Sequence, residues 1–124
     1  MKVLVDTSIW VDHFRRSDPR LASLLEHGDV VMHPFVVGEL LLGHGMRTSD
    51  MLADLNLLPR ATVASNDEVQ GFIVKRKLSG LGIGYVDAHL LAATALTPEA
   101  AIWTRDKQLL AAAQSLELIA DFRE

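Results

Sequence analysis

The sequence predicts an α/β fold, in which a small parallel sheet is flanked by helices on both sides. Short apolar runs, typical of strands buried on both faces, alternate along the chain with longer segments that have helical spacing. The 124 residues have the length of one domain, so we expect a single domain over residues 1–124. The hydrophobic content of 49% is typical of a folded protein rather than a disordered one.

The predicted strands are short and apolar. Val-Leu-Val at residues 3–5 is a continuous apolar run, which favours a buried parallel strand. The same argument predicts strands at residues 30–32, 101–104 and 118–119, with a weaker candidate at residues 61–63.

Apolar spacing and capping residues predict the helices. Thr7 or Ser8 is the expected cap of the first helix, and Asp18 followed by Pro19 begins the second. Gly28 suits the left-handed position that ends this second helix. The predicted helices are residues 9–14, 19–26, 35–43, 51–58, 66–78, 85–96 and 107–115.

Composition limits the classes of function. The chain has no cysteine, which excludes disulfides and thiolate metal sites and is compatible with the cytoplasm. No apolar run approaches the roughly 20 residues of a membrane helix, and Asp6 within the first apolar run argues against a signal peptide. The net charge of -4 argues against a dedicated nucleic-acid binder, although acids that bind a metal also count as negative.

Four acids stand in apolar surroundings. Asp6 follows the first strand and Asp106 follows the strand at residues 101–104, so both are expected at the carboxyl edge of the sheet, where ligands bind in such folds. Glu39 and Asp87 lie within apolar helical segments. Because a buried carboxylate is costly unless it is paired or bound to a metal, we expect these acids to be functional.

Each acid also has a purely structural interpretation. Asp6 and Asp106 could be helix caps, Asp87 could be a first-turn acid favoured by the helix dipole, and Glu39 could face solvent. For one acid alone the structural interpretation is the commoner one, but all four would have to coincide. If the four converge, repulsion would force one to take up a proton unless a divalent cation lies between them. Oxygen ligands favour Mg²⁺ or Mn²⁺, and the matching chemistry is phosphodiester hydrolysis.

The four acids stand in motifs that resemble a known family. The motifs are Val-Asp-Thr-Ser-Ile-Trp at residues 5–10, Gly-Glu-Leu at 38–40, Tyr-Val-Asp-Ala-His-Leu-Leu-Ala-Ala at 85–93 and Trp-Thr-Arg-Asp-Lys at 103–107. In this order they resemble the PIN domain, and more narrowly the VapC ribonuclease toxins of bacterial toxin–antitoxin pairs. The resemblance implies a PIN-like three-layer sandwich and Mg²⁺-dependent endonucleolytic cleavage of RNA.

The resemblance also implies a role for each matching residue. Asp6 and Asp87 correspond to the principal metal ligands, and Glu39 and Asp106 complete the site directly, through water, or by orienting the attacking water. Thr104 corresponds to the hydroxyl residue that holds a phosphate or the Asp106 carboxylate. The expected supporting residues are Thr7, Ser8 and Thr104.

The resemblance further implies partners. The substrate is RNA, a VapB-like antitoxin inserts an apolar segment into a groove between helices, and the chain forms a homodimer in the cytoplasm. Apolar residues that could line the groove, or simply pack in the core, are Trp10, Phe14, Leu21, Leu24 and Leu25.

Basic residues are candidates for RNA contacts. Lys75, Arg76 and Lys77 form a basic run, for which a solvated helix face is the commoner explanation. Arg105 and Arg47 are further candidates. His89 lies about 200° around the helix from Asp87, so we expect it to pack or cap rather than bind a metal.

Two other functions stay open at this point. A receiver-like phosphoacceptor domain has similar length and layering, but it needs an acidic pair after the first strand, where the sequence has only Asp6. A PIN-like scaffold that binds without cutting is the other alternative, against which the four intact acids argue.

Overall fold

The computed structural model describes residues 1–43 and 48–122. Strands alternate with helices along most of these ranges, as the apolar pattern predicted. The elements are β1 (Lys2–Val5), α1 (Thr7–Arg15), α2 (Pro19–Glu26), β2 (Val30–Val31), α3 (Pro34–Leu41), α4 (Thr48–Asn56), α5 (Asn66–Lys75), α6 (Tyr85–Leu96), β3 (Ala100–Trp103) and α7 (Lys107–Ser115).

The three strands form one parallel sheet with the order β2-β1-β3. Val3 of the central strand pairs with Val30 on one side and Ala101 on the other. Residues 3–5 are fully buried, as expected for a parallel strand covered on both faces. The predicted α/β sandwich is therefore confirmed, and the carboxyl ends of all three strands meet at one edge.

Two predicted strands were wrong. Residues 61–63 form no strand, and the chain pairs with the sheet edge only where Met32 bridges Arg60. Residues 118–119 are likewise reduced to one bridge, between Ile102 and Ile119. In each case the segment pairs with the neighbouring chain at a single residue, so no continuous hydrogen-bonded ladder forms.

The helix bounds match the prediction best where a cap is explicit. α6 and α7 begin and end at the predicted residues. The predicted cap of α1 was wrong, because Asp6 occupies that position and Thr7 is already helical. α3 starts one residue early because the ring of His33 caps it, and α5 ends at Lys75, three residues before the predicted end.

The core lies between the sheet and the helices that cover it. None of the helices in the described ranges combines the length and apolar character that crossing a bilayer requires. The largest side chains buried in the core are Leu4, Ile9, Leu21, Leu40, Leu90, Leu91, Ile102 and Leu109.

Candidate active site

Asp6 is fixed where β1 ends and α1 begins. Its carboxylate is only 8% exposed, and its Oδ1 accepts a hydrogen bond from the Thr7 N–H at 2.8 Å. Its Oδ2 accepts from the Thr104 hydroxyl at 2.7 Å and from the Ser8 hydroxyl at 3.1 Å. Three donors on this nearly buried carboxylate fix its orientation.

Thr104 joins two segments that are far apart in the chain. It is 5% exposed and lies between β3 and α7, where its hydroxyl donates to Asp6 and accepts from the Asp106 N–H at 3.1 Å. Ser8 makes a parallel link, since its Oγ accepts from the Arg105 N–H at 3.3 Å. We call Asp6, Ser8 and Thr104 the carboxylate anchor. The sequence-based role of Thr104 differs from this geometry, because its hydroxyl binds the Asp6 carboxylate rather than that of Asp106.

The other three acids come from three helices. Asp106 caps α7, with its Oδ1 accepting from the Leu109 N–H at 2.9 Å. Glu39 is an exposed residue of α3 whose Oε1 accepts from the Thr7 hydroxyl at 2.9 Å. Asp87 lies in the first turn of α6. The structural interpretations therefore hold for all four acids, since Asp6 and Asp106 are caps, Asp87 lies in a first turn and Glu39 is exposed. They do not compete with a shared site, because a capping carboxylate still lies at the edge of the sheet.

The electrostatics of Asp87 link all four acids. Burial raises the pKa of Asp87, and the Gly84 N–H at 3.4 Å opposes this by stabilising the carboxylate. The negative charges of Asp6, Asp106 and Glu39 then raise the pKa of Asp87 further. The negative charges that act on Asp87 therefore come from three carboxylates on separate segments of the chain.

The four acids do not form a ready-made coordination set. Within residues 1–43 and 48–122, no three His, Asp or Glu side chains are arranged to hold a metal ion. Each of the four carboxylates is instead engaged by a hydroxyl or N–H of the chain. The donor chemistry nevertheless fits a hard divalent cation, because every candidate ligand is a carboxylate oxygen and the charges around Asp87 repel one another.

Sequence comparison decides the family. Residues 3–114 match the PIN domain family, which covers all four acids. The chain belongs to the PIN-domain family. It is also 44% identical over 113 residues to Ribonuclease VapC32 of Mycobacterium tuberculosis, in both strain CDC 1551 / Oshkosh and strain ATCC 25618 / H37Rv. The alignment covers 89% of this chain and 89% of each relative, which confirms the predicted resemblance to VapC-type PIN domains and disfavours the receiver-like alternative.

The predicted RNA-contact residues of this PIN domain lie in different surroundings. The Arg105 guanidinium forms ion pairs with Asp12 and, at 3.1 Å, with Asp18, so it joins α1 and the start of α2 to the turn before α7. Lys75, Arg76 and Lys77 are exposed at the end of α5. Their roles in RNA binding stay predictions, and Arg47 lies outside the described residues.

Sequence reasoning missed an aromatic group between α3 and α6. Phe35 and Tyr85 each lie 4.7 Å from the ring of His89, measured between centroids, and His33 lies 5.1 Å from Phe35. We call these four residues the aromatic–histidine cluster. His89 is 2% exposed, so its predicted packing role is confirmed. The spacing of four residues between Phe35 and Glu39, and between Tyr85 and His89, is the signal that could have pointed to it.

An apolar groove lies between α1, α2 and α4 of the PIN domain. Its volume is about 400 Å³, and it includes Trp10, Phe14 and Leu25 of the predicted set. Leu21 does not contribute, because it is fully buried in the core. Two acids, Asp50 and Asp54, also line the groove.

Proposed function

We propose that this chain is a metal-dependent endoribonuclease of the toxin type, in one domain over residues 1–124, that cleaves RNA at Asp6, Glu39, Asp87 and Asp106. The observation that carries the proposal is the hydrogen-bond chain around Asp6. The Thr104 hydroxyl donates to Asp6 and accepts from the Asp106 N–H, and Thr7 donates its N–H to Asp6 and its hydroxyl to Glu39. The charges of these three acids also raise the pKa of Asp87. The relatives that match most of the chain carry the name ribonuclease, which supports the reaction class.

The proposed cofactor is Mg²⁺, for which Mn²⁺ can substitute. Asp6 and Asp87 would be its principal ligands, with Glu39 and Asp106 completing the site. When bound, such an ion would lower the pKa of a water molecule and would neutralise the charge on the phosphate in the transition state. The all-carboxylate donor set supports this class of cation.

The residues of the chain have separate tasks in this reaction. The carboxylate anchor orients Asp6 before the RNA arrives. Glu39 is exposed, and among the described residues its hydrogen-bond partner is the Thr7 hydroxyl, so it can turn to accept a proton from the attacking water. Asp106 uses Oδ1 to cap α7, and within the described ranges no donor reaches its Oδ2, which is therefore available to the site.

We propose that a VapB-like antitoxin occupies the groove between α1, α2 and α4 and holds the toxin inactive in the cytoplasm. Phe14, which is 39% exposed, offers apolar surface for a partner segment, and Met51 and Leu58 line the groove beside it. Asp50 and Asp54 favour basic residues in that segment. An acidic peptide should therefore bind this groove more weakly than a basic one of equal apolar content.

We also propose a homodimer. Val74 of α5 is 79% exposed and Leu96 of α6 is 44% exposed, and exposed apolar residues of this kind support an interface. A groove of about 270 Å³ between these helices, lined by Phe72 and Leu96, supports the same face. Light scattering at micromolar concentration should give twice the mass of one chain, and a purely monomeric result would contradict the dimer.

The nuclease proposal is tested by RNA cleavage with controlled metal. Purified protein should cut single-stranded RNA with Mg²⁺, lose activity in excess EDTA and regain it when Mg²⁺ or Mn²⁺ is restored. Asp6→Asn should lower the rate by at least about 100-fold while the protein stays folded. Asp67→Asn, which alters an exposed acid in the first turn of α5, is the matched control and should retain activity.

Two outcomes would contradict the proposal. Full cleavage by Asp6→Asn, or by the wild type in EDTA, would exclude the carboxylate site. RNA binding without cleavage under any of these metal conditions would instead support a non-catalytic PIN scaffold.

A further inference from the structure

Phe35 and Tyr85 expose their rings at the surface beside the acids. Phe35 is 38% exposed and Tyr85 is 45% exposed. Both rings contact the same buried imidazole, His89, at centroid distances of 4.7 Å with interplanar angles of 56° and 89°. Two half-exposed rings therefore share one buried support, which fixes them more firmly than isolated surface aromatics.

The helix positions of these rings connect them to the candidate active site. Phe35 precedes Glu39 by four residues on α3, which is about one turn, or roughly 6 Å along the helix axis. Tyr85 begins α6 and precedes Asp87 by two residues. Phe35 therefore lies one turn from Glu39 on the same face of α3, while Tyr85 lies about 200° around α6 from Asp87 and shares the His89 contact with Phe35.

The support beneath the rings is uncharged and apolar in character. His33 and His89 are 0% and 2% exposed, and no hydrogen-bond partner within the described residues reaches His33 Nε2 or either ring nitrogen of His89. The Tyr85 hydroxyl is held at the cluster's edge, 3.3 Å from the side-chain oxygen of Asn66. Each ring is therefore packed against His89 on one part and exposed on another.

We propose that Phe35 and Tyr85 form a stacking platform for an unpaired base of the RNA next to the cleaved phosphate. This inference rests on the proposed nuclease function and deepens it, because it assigns recognition of a base beside the cut to Phe35 and Tyr85. Bases in a duplex are stacked on one another and cannot reach a protein ring, whereas splayed bases in single strands stack on aromatic side chains. The acidic site would act on the phosphate, and the two rings would stack against the neighbouring base.

The test compares intact RNA with RNA that lacks one base. Cleavage sites of the wild type are first mapped on a short single-stranded RNA, and substrates with an abasic ribose on either side of the cut are then made. The variants are Phe35→Leu and Tyr85→Leu, which remove the aromatic plane but keep an apolar side chain. Tyr85→Phe keeps the ring, and Leu57→Ala, which changes an exposed apolar residue after α4, is the control.

The platform predicts a specific pattern of kcat/KM. On intact RNA, kcat/KM of each Leu variant should be about ten-fold lower than that of the wild type, which is the range of one base–aromatic stack. For the wild type, kcat/KM should fall by a similar factor when the neighbouring base is missing. On that abasic substrate the wild type and the Leu variants should be equal. Tyr85→Phe should keep the wild-type dependence on the neighbouring base, and Leu57→Ala should match the wild type on both substrates.

Other results would overturn the platform. An equal loss by the Leu variants on intact and abasic RNA would indicate a purely structural role, and no loss on either would exclude any role. If the Leu variants changed only the mass in solution, the rings would belong to an interface between copies. The wild-type comparison of intact and abasic RNA needs no variant, so a folding defect cannot obscure the answer. Wild-type RNA cleavage without base dependence would refute the platform alone, whereas no wild-type cleavage would refute both proposals.

Discussion

The carboxylate anchor and the aromatic–histidine cluster bury polar groups in opposite ways. Asp6 receives three hydrogen-bond donors and is fixed between two strand ends. His89 is buried to a similar extent, yet within the part of the chain that the structure describes neither of its ring nitrogens has a partner. Only the first arrangement favours a charge.

The difference explains how one edge of the fold can serve two purposes. A buried carboxylate with several donors is held in one orientation, as suits a cation ligand. A buried imidazole without donors or acceptors remains neutral, and burial accordingly lowers the pKa of His89. The charged anchor therefore suits a metal and a phosphate, while the neutral cluster suits the flat face of a base.

The largest effect that we expect is on stability, through His33. Burial, and then the nearby charge of His89, lower the pKa of His33 to about 4 from its usual 6.5. The folded protein binds fewer protons than the unfolded chain between these values, so this stability is present above pH 6.5 and is lost as the pH falls towards 4. The loss should reach about 3 kcal/mol over the full window.

Urea unfolding at several pH values between 7 and 5 measures this slope. His33→Asn should flatten the slope, since Asn can still cap α3 but does not titrate. His27→Asn, which removes an exposed histidine, is the control that separates the effect of His33 from that of losing any one histidine. Equal slopes in the wild type and His33→Asn would show that the cluster is not held in its neutral form by the fold.

The next effect is on the carboxylate anchor. Thr104→Val should lower RNA cleavage by about ten-fold, because Asp6 loses its shortest hydrogen bond and the Asp106 N–H loses its acceptor. Thr94→Val is the matched control, since Thr94 is equally buried but its hydroxyl bonds only the Leu90 carbonyl within α6. Initial rates and thermal unfolding should be measured together. A similar loss of activity in both variants would point to general destabilisation.

Ser8→Ala should have a smaller effect of the same kind. Its hydroxyl contacts Asp6 at 3.1 Å and the Arg105 N–H at 3.3 Å, both longer than the Thr104 contact. We expect a loss of a few-fold in cleavage, which Ser8→Thr should partly restore because it keeps the hydroxyl. An effect larger than that of Thr104→Val would reverse the order of importance within the anchor.

The smallest effect should come from His89→Phe. Replacing an unpartnered imidazole by an apolar ring removes two buried nitrogens without hydrogen bonds, so the free energy of unfolding should change by less than about 1.5 kcal/mol or rise. His89→Ala should instead cost about 2–4 kcal/mol through the cavity it leaves. Chemical denaturation of the two variants measures the contrast, and a severe loss in His89→Phe would reveal a polar role for the ring.

The sequence predicts the parts of this fold that depend on local rules. β1 follows from a continuous apolar run, and α7 follows from Asp106 and the apolar spacing after it. The positions of Asp6 and Asp106 follow in turn from strand ends in a parallel sheet. The local pattern did not predict which residue caps α1, where the structure has Asp6. It also did not predict that residues 61–63 fail to form a strand.

Contacts between distant segments could not be predicted. The Thr104 hydroxyl binds a carboxylate 98 residues away, and no local pattern distinguishes Asp6 from the neighbouring Asp106 as its partner. The cluster of Phe35 with His89 likewise exists only because α3 and α6 pack together. Family resemblance supplied the four acids, whereas the side chains that orient them required the fold.

The central claim is that carboxylates from four segments hold one divalent cation at the carboxyl edge of the sheet. Its most direct test is a crystal structure with Mn²⁺, using anomalous scattering to locate the ion. We predict one site with oxygens of Asp6 and Asp87 at about 2.1 Å, and loss of that site in Asp6→Asn. Manganese bound elsewhere, or bound at this edge without either carboxylate, would contradict the account.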